Sequence, residues 1–159
     1  MIDILRRHLD PTVEMLRETL AACPDELWDA RDEGAPFWQV AYHVLLGMDF
    51  WLGESGEGFA FPPFHTREAM LESDEVPDVA LTRAQIEGYL DQVYAKGQAL
   101  LDGVTPEGLL QEAEFFGCSW TVADRLLAQV RHVQHHVGQM NNIVKRRTGA
   151  APGWVGYNE

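Results

Sequence analysis

The chain has 159 residues, enough for one domain with one core but not for two of ordinary size. With 46% hydrophobic and 23% charged residues it has a globular balance that excludes wholesale disorder. Its net charge of -13, from 12 basic and 25 acidic side chains, would repel phosphate backbones and anionic lipid, which argues against nucleic acid and membrane surfaces as partners.

Two cysteines, Cys23 and Cys118, are too few for a disulfide scaffold or a cysteine-ligated zinc ribbon, and both read as ordinary buried small residues. The first residues, Met-Ile-Asp-Ile-Leu-Arg-Arg-His, carry no apolar signal core, so the expected compartment is a reducing cytoplasm.

The first helix is predicted over about Ile2 to Ala22, where Leu5, Leu9, Val13, Leu16 and Leu20 step by three or four. Pro11 lies inside that run. It either kinks one helix or opens a second, with Asp10 as its N-cap. Pro24 breaks the chain, and a short turn is expected around Asp25 to Trp28. The second long helix, about Pro36 to Gly53, is apolar nearly all round and belongs deep in the core. Phe37, Trp38, Phe50 and Trp51 are expected there as core, one or two of them walling a pocket.

From Glu54 to Ala80 the character changes to seven acidic residues against Arg67 alone, with Gly and Pro at both ends. This reads as a solvated surface crossover with one short helix near Thr66 to Glu72, capped by Thr66. Thr82 reads as the N-cap of a third long helix that ends near Gly103 and carries Ile86, Leu90, Val93, Leu100 and Leu101. A loop to Gly117 follows, with one helical turn after Pro106. Ser119 is expected to cap a last helix from about Trp120 to Thr148, stopped by Gly149. Lys145, Arg146 and Arg147 suit its C-terminal dipole. Trp154 and Tyr157 in the remaining tail are expected to pack back onto the body.

Four long helices and no alternating strand pattern predict an all-α, single-domain four-helix bundle over residues 1–159, with its long crossover between the second and third helices. Trp38-Gln-Val-Ala and Trp120-Thr-Val-Ala form a weak internal echo at two helix starts.

The run Arg131-His132-Val133-Gln134-His135-His136-Val137-Gly138-Gln139 holds three of the six histidines. His132 and His136, four apart, share one helix face and can reach one divalent ion, while His135 points elsewhere. A third ligand must come from another element, and His43, midway along the most buried helix, leads because an unpaired imidazole there is costly. Gly47 leaves space beside His43, Gly138 and Ala128 are similarly small, and Gln139 can line the same pocket as a hydrogen-bonding neighbour. His8 and His65 lack partner spacing and read as surface or structural.

Zincin chemistry needs glutamate directly after the first histidine, where Val133 stands, and di-iron bundles need Glu-x-x-His pairs that are absent here. A mononuclear three-histidine site with an open position remains, the form of a catalytic or substrate-binding metal. Three imidazoles accept zinc, nickel, copper or iron.

His43 in an aromatic-rich helix, the later His132-x-x-His135-His136-x-Gly138-Gln139 and the Trp-x-Val-Ala helix starts together resemble the DinB/YfiT-like superfamily across nearly the whole chain. The resemblance implies a four-helix bundle with His43, His132 and His136 on one metal, usually zinc or nickel, with His135 as a non-ligand and often a homodimer. It also implies a small-molecule substrate. Relatives include S-transferases using bacillithiol, mycothiol or glutathione, a mycothiol-dependent isomerase, and proteins called metal-dependent hydrolases. Relatives often read His-Arg-Gly-Gln where this chain has Val137, so an anion contact made by that arginine would be missing. The expected activity is metal activation of a thiol or water, with the crossover and the Trp154–Tyr157 tail as pocket rim. The alternative is a non-catalytic protein whose metal is structural, or a stress-linked binding module.

Overall fold

Helical periodicity decides the architecture of the computed structural model, which describes residues 1–32, 34–73 and 77–156. Its elements in chain order are α1 (Ile2–Ala22), a single turn α2 (Asp25–Trp28), α3 (Phe37–Trp51), α4 (Arg83–Gly103), strands β1 (Glu112–Phe115) and β2 (Cys118–Thr121), and α5 (Val122–Thr148). Short 3-10 turns lie at Arg67–Ala69 and Gly108–Leu110. The molecule is mostly helical. α1 packs on α5 and α4, and α3 packs on α5 and α4, so the four long helices enclose the core. No helix among the described residues is long and apolar enough to cross a membrane.

The apolar stripe of α1 is the one its spacing predicts: Leu5, Leu9, Val13, Leu16 and Leu20 are all buried. Pro11 sits within one continuous helix and opens no second one. Asp10 is not a cap. Its carboxylate accepts from the Tyr94 hydroxyl at 3.1 Å and from Gln98 Nε2 at 2.6 Å, which ties α1 to α4.

The last carbonyls of α1 find a cation across the chain. Arg83, at the start of α4, donates to the carbonyls of Leu20 (3.0 Å) and Cys23 (2.5 Å) and to Asp25 Oδ1 (3.1 Å), with its guanidinium 4.4 Å above the Trp28 ring. Such a cation satisfies acceptors that a helix end leaves open.

α4 begins at a capping box in which the Thr82 side chain accepts from Gln85 N–H and Gln85 reaches back to the Thr82 N–H. Thr66 likewise accepts from the Ala69 amide and caps the turn expected in the crossover. Gly149 ends α5 in the left-handed region at φ 85°.

Three expectations need correction. The segment before α5 is a β-hairpin, with Glu112 opposite Thr121 and Phe115 opposite Cys118. Its turn puts Phe116 (φ 53°) and Gly117 (φ 72°) both in the left-handed region, the requirement of a tight two-residue hairpin turn. Consequently Thr121, and not Ser119, caps α5, through a reciprocal box with Asp124. Ser119 lies on β2 and donates to Glu112 Oε2 at 2.6 Å. Trp120 is also on β2, whereas Trp38 is in the first turn of α3, so the Trp-x-Val-Ala echo joins unlike positions.

The tail and Cys118 are further departures. Trp154 is 79% exposed and does not pack into the body. Val155 does pack against the core, and this part of the tail lies beside Arg7, Met15 and Gln134 over the α1–α5 seam. Tyr157 lies outside the described residues. Cys23 is buried as expected, but Cys118 is exposed on the hairpin.

Candidate metal centre

α3 and α5 lie side by side, and each delivers imidazoles to the seam between them. His43 comes from the middle of α3, and His132 and His136 come from successive turns of α5. The ligand atoms of the three rings all lie within 4.8 Å of one another. Ring centroids are 5.2 Å apart for His43 and His132, 4.9 Å for His43 and His136, and 4.8 Å for His132 and His136. Among the described residues no fourth histidine, cysteine, aspartate or glutamate joins the group.

The outward nitrogens determine what the inward ones can do. His43 Nδ1 lies 3.0 Å from Glu72 Oε1, His132 Nδ1 lies 3.2 Å from Gln129 Oε1, and His136 Nδ1 lies 2.8 Å from Gln139 Oε1. Each partner is an acceptor oxygen, so each ring donates through Nδ1 and keeps a lone pair on Nε2. His132 Nε2 and His43 Nε2 stand 3.2 Å apart. Two lone pairs at that distance repel unless an electropositive species lies between them. Two nitrogens about 2.0–2.1 Å from one tetrahedral ion lie ~3.3 Å apart, so the donor set fits a divalent cation.

The local electrostatics favour the neutral form of the two α5 rings. Burial, followed by the neighbouring charges of His136, His43 and His135, pushes His132 down to about 4. Burial and then His43 lower His136, with the Gln139 bond opposing. Metal ligation requires neutral imidazole, so burial holds His132 and His136 in their binding form at neutral pH.

Gly47 is one turn beyond His43 on α3, and a Cβ there would stand 2.8 Å from His132 Cε1. Its missing side chain is what lets the His132 ring lie against α3. Gly138 plays no such part, since a Cβ there would meet nothing within 4 Å. Val137 is 1% exposed and belongs to the core.

The other histidines stay out of the cluster. His135 is exposed and touches only the edge of the site, its ring 5.0 Å from that of His136. His65 is structural. Its Nδ1 is 2.6 Å from the Tyr42 hydroxyl, and its ring stacks on Phe61 at 4.0 Å. His8 lies on α1 beside the tail.

Phe37 and Trp38 are core, whereas Phe50 and Trp51 are half-buried and stack on Phe115 and Phe116 of the hairpin. A cavity of about 730 Å³ opens at that end, lined by residues including Leu52, Leu100, Glu112 and Arg125, and none of the three clustered histidines lines it.

Reasoning from sequence named His43, His132, His136 and Gln139 but missed Gln129 and Glu72. Gln129 is three residues before His132, as Gln139 is three after His136, so a search for acceptors at helical spacing would have found both. Glu72 gave no such signal, being one acid among seven in a solvated crossover.

The model of the DinB superfamily matches residues 8–140, a span that includes all three clustered histidines, and the chain belongs to that superfamily. No curated protein matches the sequence.

Proposed function

We propose that this DinB superfamily chain is a metal-dependent enzyme, built as a four-helix bundle, that acts on a small electrophilic substrate. His43, His132 and His136 would hold one divalent ion, zinc or nickel, through Nε2. The observation that carries this reading is the convergence of three imidazoles with ligand atoms within 4.8 Å of one another, each with its Nδ1 beside an acceptor oxygen. A divalent ion bound there lowers the pKa of a thiol or water and so supplies an anionic nucleophile near neutral pH. The absence of a fourth protein ligand among the described residues leaves room for that nucleophile.

The chain's own groups orient and do not shuttle protons. Gln129 and Gln139 fix the two α5 rings, and the Glu72 carboxylate is engaged by His43. Because Glu72 is already engaged by His43, the bound metal rather than a general base would supply the activation of the nucleophile. Glutathione, mycothiol or bacillithiol would make the enzyme an S-transferase, and water would make it a hydrolase.

Protein purified without a histidine tag is expected to carry close to one equivalent of metal. His43→Ala, His132→Ala and His136→Ala should each lose it, by elemental analysis. Consumption of a thiol with chlorodinitrobenzene should cease on chelation and return on adding zinc or nickel. Wild-type protein that takes up no metal would sink the site. Metal-loaded protein that loses only thermal stability on chelation, and turns over neither thiol–electrophile pairs nor esters, would sink the catalysis.

A further inference from the structure

His43 is the one site ligand held from outside its own helix. Its Nδ1 partner, Glu72, comes from the crossover between α3 and α4 and is 29 residues away in sequence. The Glu72 side chain is 61% exposed, so nothing in its own packing explains where it sits. The anchor is Gln39, one turn before His43 on α3. Gln39 is 5% exposed, a polar side chain in the core, and its Nε2 donates to the carbonyls of Glu68 (3.2 Å) and Met70 (3.1 Å). The same stretch is fixed by the Thr66 cap and by Ala69, which is 2% exposed.

One face of α3 therefore reads Gln39, His43, Gly47 at steps of four. The first residue clamps the crossover backbone, the second receives the carboxylate which that backbone delivers, and the third clears room for the opposing ring. Burying an amide is costly unless its hydrogens are used, and here both are spent on one short segment of crossover.

We infer that Glu72 and Gln39 are positioning residues of the metal centre, Gln39 holding the crossover so that Glu72 fixes the tautomer and orientation of His43. The inference rests on the metal-binding reading above. It gives the acidic crossover a function, because one carboxylate among its acids completes the set of three Nδ1 acceptors. It also makes that set asymmetric. The α5 rings have neutral amide partners, whereas His43 has a charged one, which raises the basicity of its Nε2 and adds a negative charge beside a divalent ion.

Three variants test this with the full chain. Glu72→Ala removes acceptor and charge, Glu72→Gln keeps an acceptor oxygen and removes the charge, and Gln39→Leu leaves Glu72 intact but unclamps its backbone. Zinc affinity, read by chelator competition, is expected to weaken about 10- to 100-fold in Glu72→Ala and by less in Glu72→Gln. Gln39→Leu should weaken it in the same direction. The double variant Gln39→Leu/Glu72→Ala should be no weaker than Glu72→Ala, because both changes break one linkage.

A metal-free readout separates positioning from a general structural role. Nitrogen-15 spectra of the histidine rings at neutral pH should show His43 as the Nδ1–H tautomer in wild type and as a mixture in Glu72→Ala, with no change in melting temperature of the metal-free protein. Zinc affinity in Glu72→Ala equal to wild type, or an Nε2–H tautomer for His43 in wild type, would overturn the inference. Wild-type protein that binds no zinc would overturn the metal reading instead, and the tautomer would then still decide whether Glu72 orients His43.

Discussion

At the scale of single residues, the cluster is a problem of fit as much as of donors. His132 lies against α3 only because position 47 has no side chain, a built Cβ falling 2.8 Å from Cε1 and 3.3 Å from Nδ1 of that ring. Gly47→Ala should therefore separate binding from folding. Alanine favours a helix interior by roughly 1 kcal/mol over glycine, so helical content and metal-free stability should hold or rise. The displaced ring should weaken zinc binding about tenfold or more, the scale of effect when a ligand's orientation is disturbed. Chelator competition beside circular dichroism measures both, and unchanged affinity would mean that the ring is not held where the structure puts it. The placement of His43 and Gly47 beside His132 was legible in sequence because both positions follow from helical steps on an apolar helix. Glu72 was not, since its place depends on the path of a crossover backbone, set by a glutamine in another element. Exposure of Cys118 was equally hidden, because it follows from a hairpin that the residue pattern did not announce.

At the scale of elements, α1, α3 and α4 were readable to within a residue or two of their ends, because their apolar positions repeat every three or four residues and Thr82, Pro24 and Gly103 mark boundaries. The start of α5 was misread by two residues. Ser119 and Thr121 are both competent caps, and what decides between them is that Ser119 is already paired across the hairpin. The hairpin itself has strands of four residues and a Phe-Gly turn, without the Asn-Gly or Asp-Gly pair that usually announces one. This assigns a definite cost to Thr121. Its hydroxyl accepts from the Asp124 amide at 3.0 Å and donates to the Asp124 carboxylate at 2.6 Å, and that carboxylate is held below its usual range mainly by this bond. Thr121→Ala should destabilise the protein by about 1 kcal/mol and lower the melting temperature by roughly 2–4 °C. Metal stoichiometry should stay at wild type, because His132 and His136 lie three to four turns further along α5. The same substitution at Ser119 should leave the melting temperature nearly unchanged. A scan of both variants by thermal unfolding checks the assignment, and equal losses would restore Ser119 as a cap.

At the scale of the whole molecule, the mostly helical fold was legible because burial follows the periodicity, but the protonation state of the core was not, since it depends on what burial does to groups that sequence leaves ordinary. Burial pushes the Cys23 thiol up to about 11 in spite of Arg83 beside it. Tyr42 is raised by burial and then by the Asp49 charge, and Tyr89 by burial and by its 2.8 Å hydrogen bond to Asp49. All three shifts have one sign. Each group holds its proton more tightly folded than unfolded, so above the unfolded values, about 9 for the thiol and 10 for the phenols, the native state binds more protons. Stability should be fully present below about pH 9 and fall as pH rises from there toward 11, with Cys23 alone contributing ~2–3 kcal/mol of that fall. Urea unfolding at pH 8, 9, 10 and 10.5 would show the slope. The net charge of -13 offers a competing cause, since self-repulsion also grows at alkaline pH. Salt and substitution distinguish the two. Repulsion between surface charges is screened at 0.5 M salt, whereas the cost of ionising a buried thiol is not. Cys23→Ala should therefore flatten the fall between pH 9 and 10 at high salt while leaving the steeper loss above pH 10 that the tyrosines impose. A stability profile that is level from pH 8 to 10.5 at high salt would contradict the buried protons, and one that is unchanged by Cys23→Ala would assign the whole effect to Tyr42 and Tyr89.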